Sequence, residues 1–105
     1  MKHYAVAQFD VTDGAWVRDY VSEVTSMVEA RGGRYLARTA AFEYIEADGE
    51  QRQTCMLIEW PSKQAALEFY DSDEYRPFRE RRLAGSRGDF LLVAGEDSTG
   101  VARVP

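Results

Sequence analysis

Cysteine and histidine are almost missing from this chain: Cys55 and His3 are single examples among 105 residues. A lone cysteine makes no internal disulfide, so a reducing, cytoplasmic setting is expected. Metal sites draw on several His, Cys or carboxylate ligands within reach, and no such spacing occurs, so no metal is expected and haem ligation through His3 is disfavoured. No apolar run approaches the ~20 residues that a membrane helix needs. Met1-Lys2-His3-Tyr4 lacks the continuous apolar stretch and the small-residue cleavage site of a signal peptide. Positive charge is in deficit as well: a formal net charge of -5 argues against general nucleic-acid affinity. Phosphate loop, dinucleotide fingerprint and serine-nucleophile motif are all absent. The expectation is a protein without cofactor, membrane partner or nucleic-acid partner.

What is present suits one small globular domain. Five Phe, six Tyr and two Trp within a 45% hydrophobic composition speak against disorder. His3 to Val11 alternates, with Ala5, Ala7, Phe9 and Val11 on one face and Tyr4, Val6, Gln8 and Asp10 on the other, a strand pattern. Thr12-Asp13-Gly14 breaks it and offers a cap. Trp16, Val17, Tyr20, Val21, Val24, Met27 and Val28 then fall at helical spacing, and Gly32-Gly33 stops the helix.

Arg34 to Ile45 reads as a second strand. Asp48-Gly49 is a turn signal, which predicts a hairpin into a third strand, Arg52 to Trp60. Cys55-Met56-Leu57-Ile58 is apolar on both faces, so that strand should be central and covered on both sides. Pro61 ends it, and Ser62 caps a short helix through Tyr70. Asp71-Ser72-Asp73 interrupts that helix and caps another from about Glu74 to Ala84, with an irregular first turn at Pro77. Asp89 to Ala94 is the last strand.

The order predicts a ferredoxin-like βαββαβ sandwich over residues 1–95, a four-stranded antiparallel α+β sheet with helices on one face, followed by a polar tail, 96–105. Strands with apolar residues on both faces then leave one sheet face open, and a homodimer formed face to face covers it.

Tyr4-Ala5-Val6-Ala7-Gln8-Phe9-Asp10-Val11-Thr12-Asp13, with Tyr20, resembles the start of small bacterial proteins grouped as domain of unknown function 1330. So do Gly32-Gly33-Arg34-Tyr35-Leu36-Ala37-Arg38, Ile58-Glu59-Trp60-Pro61-Ser62, and the stretch from Ala65 to Tyr75, which is similar to that family's Phe/Trp-Tyr-x-Ser-x-Glu-Tyr segment. Arg82 matches a later family arginine. The resemblance runs from Tyr4 to about Gly95. One departure is Arg38-Thr39-Ala40, where the family often has Arg-Gly-Gly. The resemblance implies a dimeric α+β barrel and no established reaction; the same fold hosts cofactor-free monooxygenases, isomerases and haem-handling proteins.

Six residues stand out as candidate ligand contacts: Tyr20, Arg34, Glu59, Tyr70, Tyr75 and Arg82. Glu59 ends an apolar strand on the face of Cys55 and Leu57, so it must reach solvent, pair with a cation or hold a proton. A salt bridge to Arg34 or Arg82 is the plain reading, with Arg82 the favoured partner; a pocket acid or base is the sharper one. The three tyrosines lie where helices should face the sheet, as packing residues with tethered hydroxyls or as ligand contacts. Arg34 and Arg38, four apart, would share a strand face and clamp an anion or pair with acids. Arg76, Arg79, Arg81, Arg82 and Arg87 face one acid, Glu80; this is either a solvated basic helix face or a site where one or two arginines turn inward. Cys55 reads as an inert core thiol.

The leading functional expectation is a homodimer binding a small organic or anionic molecule between helices and sheet. A cofactor-independent monooxygenase or isomerase is the alternative, and a dimeric interaction module without ligand is the third.

Overall fold

The computed structural model describes Met1–Pro105. It has four strands, β1 (His3–Val11), β2 (Arg34–Thr39), β3 (Thr54–Trp60) and β4 (Ser86–Ala94), and three helices, α1 (Val17–Ala30), α2 (Lys63–Tyr70) and α3 (Arg76–Ala84). The sheet is antiparallel in the order β2-β3-β1-β4. This is the ferredoxin-like unit of the dimeric α+β barrels.

Local chemistry sets the helix ends. Asp13 accepts a 3.0 Å bond from Ala15 N and opens a 3-10 turn, Gly14–Trp16, that leads into α1. Gly32 closes α1 with φ +89, and a Cβ on Gly33 would lie 2.6 Å from Val28 and 3.0 Å from the Trp60 ring, so both positions require glycine. The Ser62 hydroxyl caps α2 through Ala65 N at 3.0 Å. Ser72 donates to Phe69 O at 2.7 Å and accepts from Tyr75 N at 3.2 Å, which turns the chain between α2 and α3.

Pairing assigns the faces. Ala5 and Ala7 stand opposite Ile58 and Met56 on β3 and opposite Leu92 and Phe90 on β4. This set packs beneath Val24, Val28, Ala66, Phe69 and Tyr75. Trp60, 2% exposed, and Tyr75, 1% exposed, anchor the core, and each such burial stabilises by about 2 kcal/mol. Trp60, Phe69, Tyr75, Tyr20 and Trp16 follow one another in contact, with centroid separations of 5.4, 4.4, 6.0 and 5.1 Å.

The other sheet face carries Val6, Leu57, Cys55, Leu91 and Val93 with no helix over it. β3 is central as expected but covered on one side only, and Cys55 lies half-buried on the open side rather than in the core.

Two expectations fail between residues 34 and 53. β2 ends at Thr39 instead of Ile45, and β3 begins at Thr54, so the Asp48-Gly49 turn joins no tight hairpin. Residues 40–53 are held by side chains instead. Tyr44 donates to Gln8 Oε1 at 2.8 Å, and Arg52 Nη1 and Gln53 N meet the Asp10 carboxylate at 3.0 and 2.9 Å. The second failure is a register shift between Tyr35 and Ala37, a bulge at Leu36. It places Arg34 opposite Glu59 and Arg38 opposite Met56, so these two arginines face opposite sides of the sheet.

Candidate functional site

The helix face of the sheet, α1 and α3 enclose a cavity of about 390 Å³. Its walls are mostly apolar, with Phe9, Met56 and Phe90 from the sheet and Trp16, Val17 and Leu83 from the helical side. Gly85 sets the Trp16 wall. Its carbonyl accepts from Trp16 Nε1 at 3.0 Å and from the backbone of Thr12 and Asp13 at 2.9 and 3.1 Å. A side chain at Gly85 would collide with the indole.

Arg82 is the unusual group. It is 8% exposed, lines the cavity and forms no salt bridge. Its Nε reaches the Tyr75 hydroxyl at 3.4 Å, its guanidinium lies 5.5 Å from the Phe90 ring centre, and its Nη2 is buried without a hydrogen-bond partner. The Tyr75 hydroxyl is 2.5 Å from that of Tyr20, which also lines the cavity. Burial first, then the neighbouring Tyr75, pushes the Tyr20 hydroxyl well above the usual phenol range. A buried guanidinium keeps its charge, so this end of the cavity is cationic and lacks a paired carboxylate. It suits an anionic or hydrogen-bond-accepting oxygen.

The six candidate residues divide into groups. Tyr20, Tyr75 and Arg82 meet as described. Tyr70 packs on Tyr75 and Phe90 and lines a second, wholly apolar recess of about 290 Å³ under α2. Arg34 and Glu59 lie on the opposite face of the sheet, away from both cavities. Glu59 pairs with Arg34 at 3.2 Å and with Lys2 at 3.1 Å, not with Arg82. The reason is strand parity: Glu59 follows Cys55 and Leu57 on the open face, whereas α3 holds Arg82 on the other.

Of the arginine cluster, Arg82 alone turns fully inward. Arg79 stacks 5.0 Å from the Tyr70 ring and donates to the Tyr70 carbonyl, Arg76 pairs with Asp73 at 2.6 Å, and Arg81 covers Phe78 at 4.7 Å.

Sequence reasoning did not assign Trp16, Phe9 or Phe90 to a site and named Arg87 only within the arginine cluster, though all four line the cavity. Arg38 also lines it; its Nη1 donates to Thr25 Oγ1 at 3.0 Å and its guanidinium lies 4.5 Å from the Tyr35 ring centre. The position of Phe90 opposite Ala7 was a usable signal, since small Ala5 and Ala7 in β1 leave room that neighbours do not fill.

The fold recurs in solved structures. RPA0582, a protein of unknown function from Rhodopseudomonas palustris, is 19% identical and matches with a TM-score of 0.68 over 86% of this chain and 80% of that one. SnoaB, a cofactor-independent oxygenase from Streptomyces nogalater, is 13% identical, with a TM-score of 0.65 over 91% of this chain and 94% of that one. At these identities the likeness is one of fold. No curated protein matches the chain in sequence. The family model described as Domain of unknown function (DUF1330) matches residues 2–96, and the chain belongs to that family.

Proposed function

We propose that this chain works in the cytoplasm as a homodimer in which each protomer binds a small organic molecule, carrying an acidic or anionic oxygen, in the cavity between sheet, α1 and α3. One observation carries the reading: Arg82 is buried and charged, forms no salt bridge and lines a mostly apolar cavity. Buried charges are ordinarily paired, and an anionic oxygen in the cavity supplies the missing partner. The cavity volume, about 390 Å³, suits a ligand of one to three rings. Dimerisation is supported by the open sheet face, where Leu91 and Val93 are 56% and 46% exposed.

Trp16 supplies the readout, because it lines the cavity while Trp60 is buried in the core. Titration with 2-naphthoate, 2-naphthol and naphthalene is expected to change tryptophan emission and to raise the melting temperature. An absence of response to all three defeats the reading.

A second reading, a cofactor-independent monooxygenase or isomerase, is supported by the shared fold with SnoaB. Oxygen uptake or product formation with phenols, quinones or enol-lactones separates enzyme from binder. A further use for Tyr70 follows the same logic, since its recess adjoins the first cavity at Phe90, and a longer apolar ligand would reach it.

A further inference from the structure

Of the two directions open to the hydrogen bond between Tyr20 and Tyr75, one strands a proton in the core. A guanidinium donates and never accepts, so at the 3.4 Å contact between Arg82 Nε and Tyr75 the phenol oxygen is the acceptor. Tyr75 is 1% exposed, and its own proton needs a buried acceptor. The oxygen within reach is that of Tyr20, 2.5 Å away. The reverse arrangement, with Tyr20 donating to Tyr75, leaves the Tyr75 proton without a partner in the core, which native structures avoid. Tyr75 therefore donates to Tyr20, and the Tyr20 proton is left for the cavity that Tyr20 lines.

Burial holds Tyr20 in its protonated form, so it remains a donor across the ordinary pH range. The charged groups lining the cavity are Arg38, Arg82, Arg87 and Asp89. Asp89 pairs with Gln8, whose parity is that of the open sheet face, so no carboxylate confronts Arg82 from the helix side.

We infer that Tyr75 is a positioning residue that fixes a one-way relay from Arg82 through Tyr75 to Tyr20, and that the cavity thereby selects ligands by a deprotonated oxygen, as in a phenolate or an enolate. The inference rests on the cavity being a binding site. The Tyr20 O–H and, behind it, the buried charge of Arg82 then act on the ligand between mostly apolar walls. In such surroundings they stabilise an oxyanion more than its neutral acid, because apolar walls screen charge less than bulk water does. No covalent step is involved; the ligand releases its proton to solvent and binds as the anion.

The test uses 4-nitrophenol, whose phenol and phenolate forms absorb differently, beside nitrobenzene, which has no acidic proton. On the intact chain, the bound 4-nitrophenol is expected to be phenolate at a pH where the free probe is mainly phenol. Tyr75→Phe keeps the ring and the core but breaks the relay. It is expected to weaken 4-nitrophenolate binding about tenfold while leaving nitrobenzene binding within about twofold. Tyr20→Phe, which removes the last donor, should reproduce that split. A mere packing defect would weaken both probes together. If both variants bind the two probes as the unaltered chain does, the relay is wrong while the binding site stands. If neither probe binds the unaltered chain, the binding reading itself fails and the relay falls with it.

Discussion

Arg82→Met separates a ligand-binding arginine from a structural one by the sign of its effect on stability. Removing a buried arginine from an ion pair ordinarily strands a carboxylate and costs several kcal/mol. Here no carboxylate is stranded, because Arg82 forms no salt bridge. Removing the guanidinium gives up the long bond to Tyr75, about 1 kcal/mol, and the contact with Phe90, about 0.5–1 kcal/mol. It also relieves the unsatisfied Nη2 donor, about 1–3 kcal/mol, and lets an apolar side chain lie against apolar walls. These terms span about 1 kcal/mol against the variant to about 1.5 kcal/mol in its favour; the added apolar contact tips the balance, so a variant equal to or slightly more stable than the parent is expected. Calorimetry of the ligand-free protein checks this, with 2-naphthoate titration of the same samples. The expected outcome is a variant at least as stable as the parent that has lost the carboxylate ligand. A fall in melting temperature equivalent to about 3 kcal/mol would mean that Arg82 is a structural cation with a partner, and the anion-site argument would be wrong.

Three further outcomes are expected. In a double-mutant cycle, Glu59→Gln should couple to Arg34→Met by less than about 1 kcal/mol, since the Arg34 side chain is 69% exposed, and should not couple to Arg82→Met; melting temperatures of the four proteins measure it. Leu57→Lys is expected to yield a folded monomer, with light scattering falling from twice the chain mass to the chain mass, because Leu57 faces the open side and not the helices. Asp97 is held at a pKa of about 2, below the ordinary aspartate value of 3.8, by hydrogen bonds from Ala102 N first and then from Thr99. A depressed folded pKa stabilises the turn above pH 3.8 and the benefit is lost as pH falls through about 2, so carboxyl NMR should place the Asp97 midpoint near the lower value.

The parts of the fold that were legible from sequence are those where side-chain type and backbone geometry agree. The alternation from Tyr4 to Phe9, the helical stripe ending at Val28, the Gly32-Gly33 stop and the Ser62 cap all recur in the structure. The failures sit where the deciding interaction is remote. Phe42, Tyr44 and Ile45 have strand-type side chains, yet their segment is drawn away by Tyr44 to Gln8 and Arg52 to Asp10, contacts 36 and 42 residues apart in sequence. Glu59 was recognisable as a carboxylate on the Leu57 face. Of its two expected partners Arg34 is the one it meets, while the favoured Arg82 lies across the sheet; Lys2, 57 residues away in sequence, gave no signal. For the site, the inward turn of one arginine, the tyrosines and a pocket between helices and sheet were readable, while the walls of that cavity were not. Its walls come from Trp16, Met56 and Phe90, which look like ordinary core in one dimension, and a void depends on what fails to meet.

The bulge at Leu36 has an evolutionary side. By taking up one extra residue, β2 sends Arg34 to the side where Glu59 and Lys2 lie and Arg38 to the side where the cavity lies. A single short strand thus serves two surfaces, the open sheet face and the cavity side. Regular pairing through Leu36 would instead set Arg38 opposite Cys55, placing a second cation on the open apolar face and withdrawing one from the cavity rim. Length changes between residues 45 and 49, by contrast, fall where Ile45 is 87% exposed and no strand pairs. Lineages descended from this chain are therefore expected to vary in length in that loop and to keep the register of β2 on either side of the bulge.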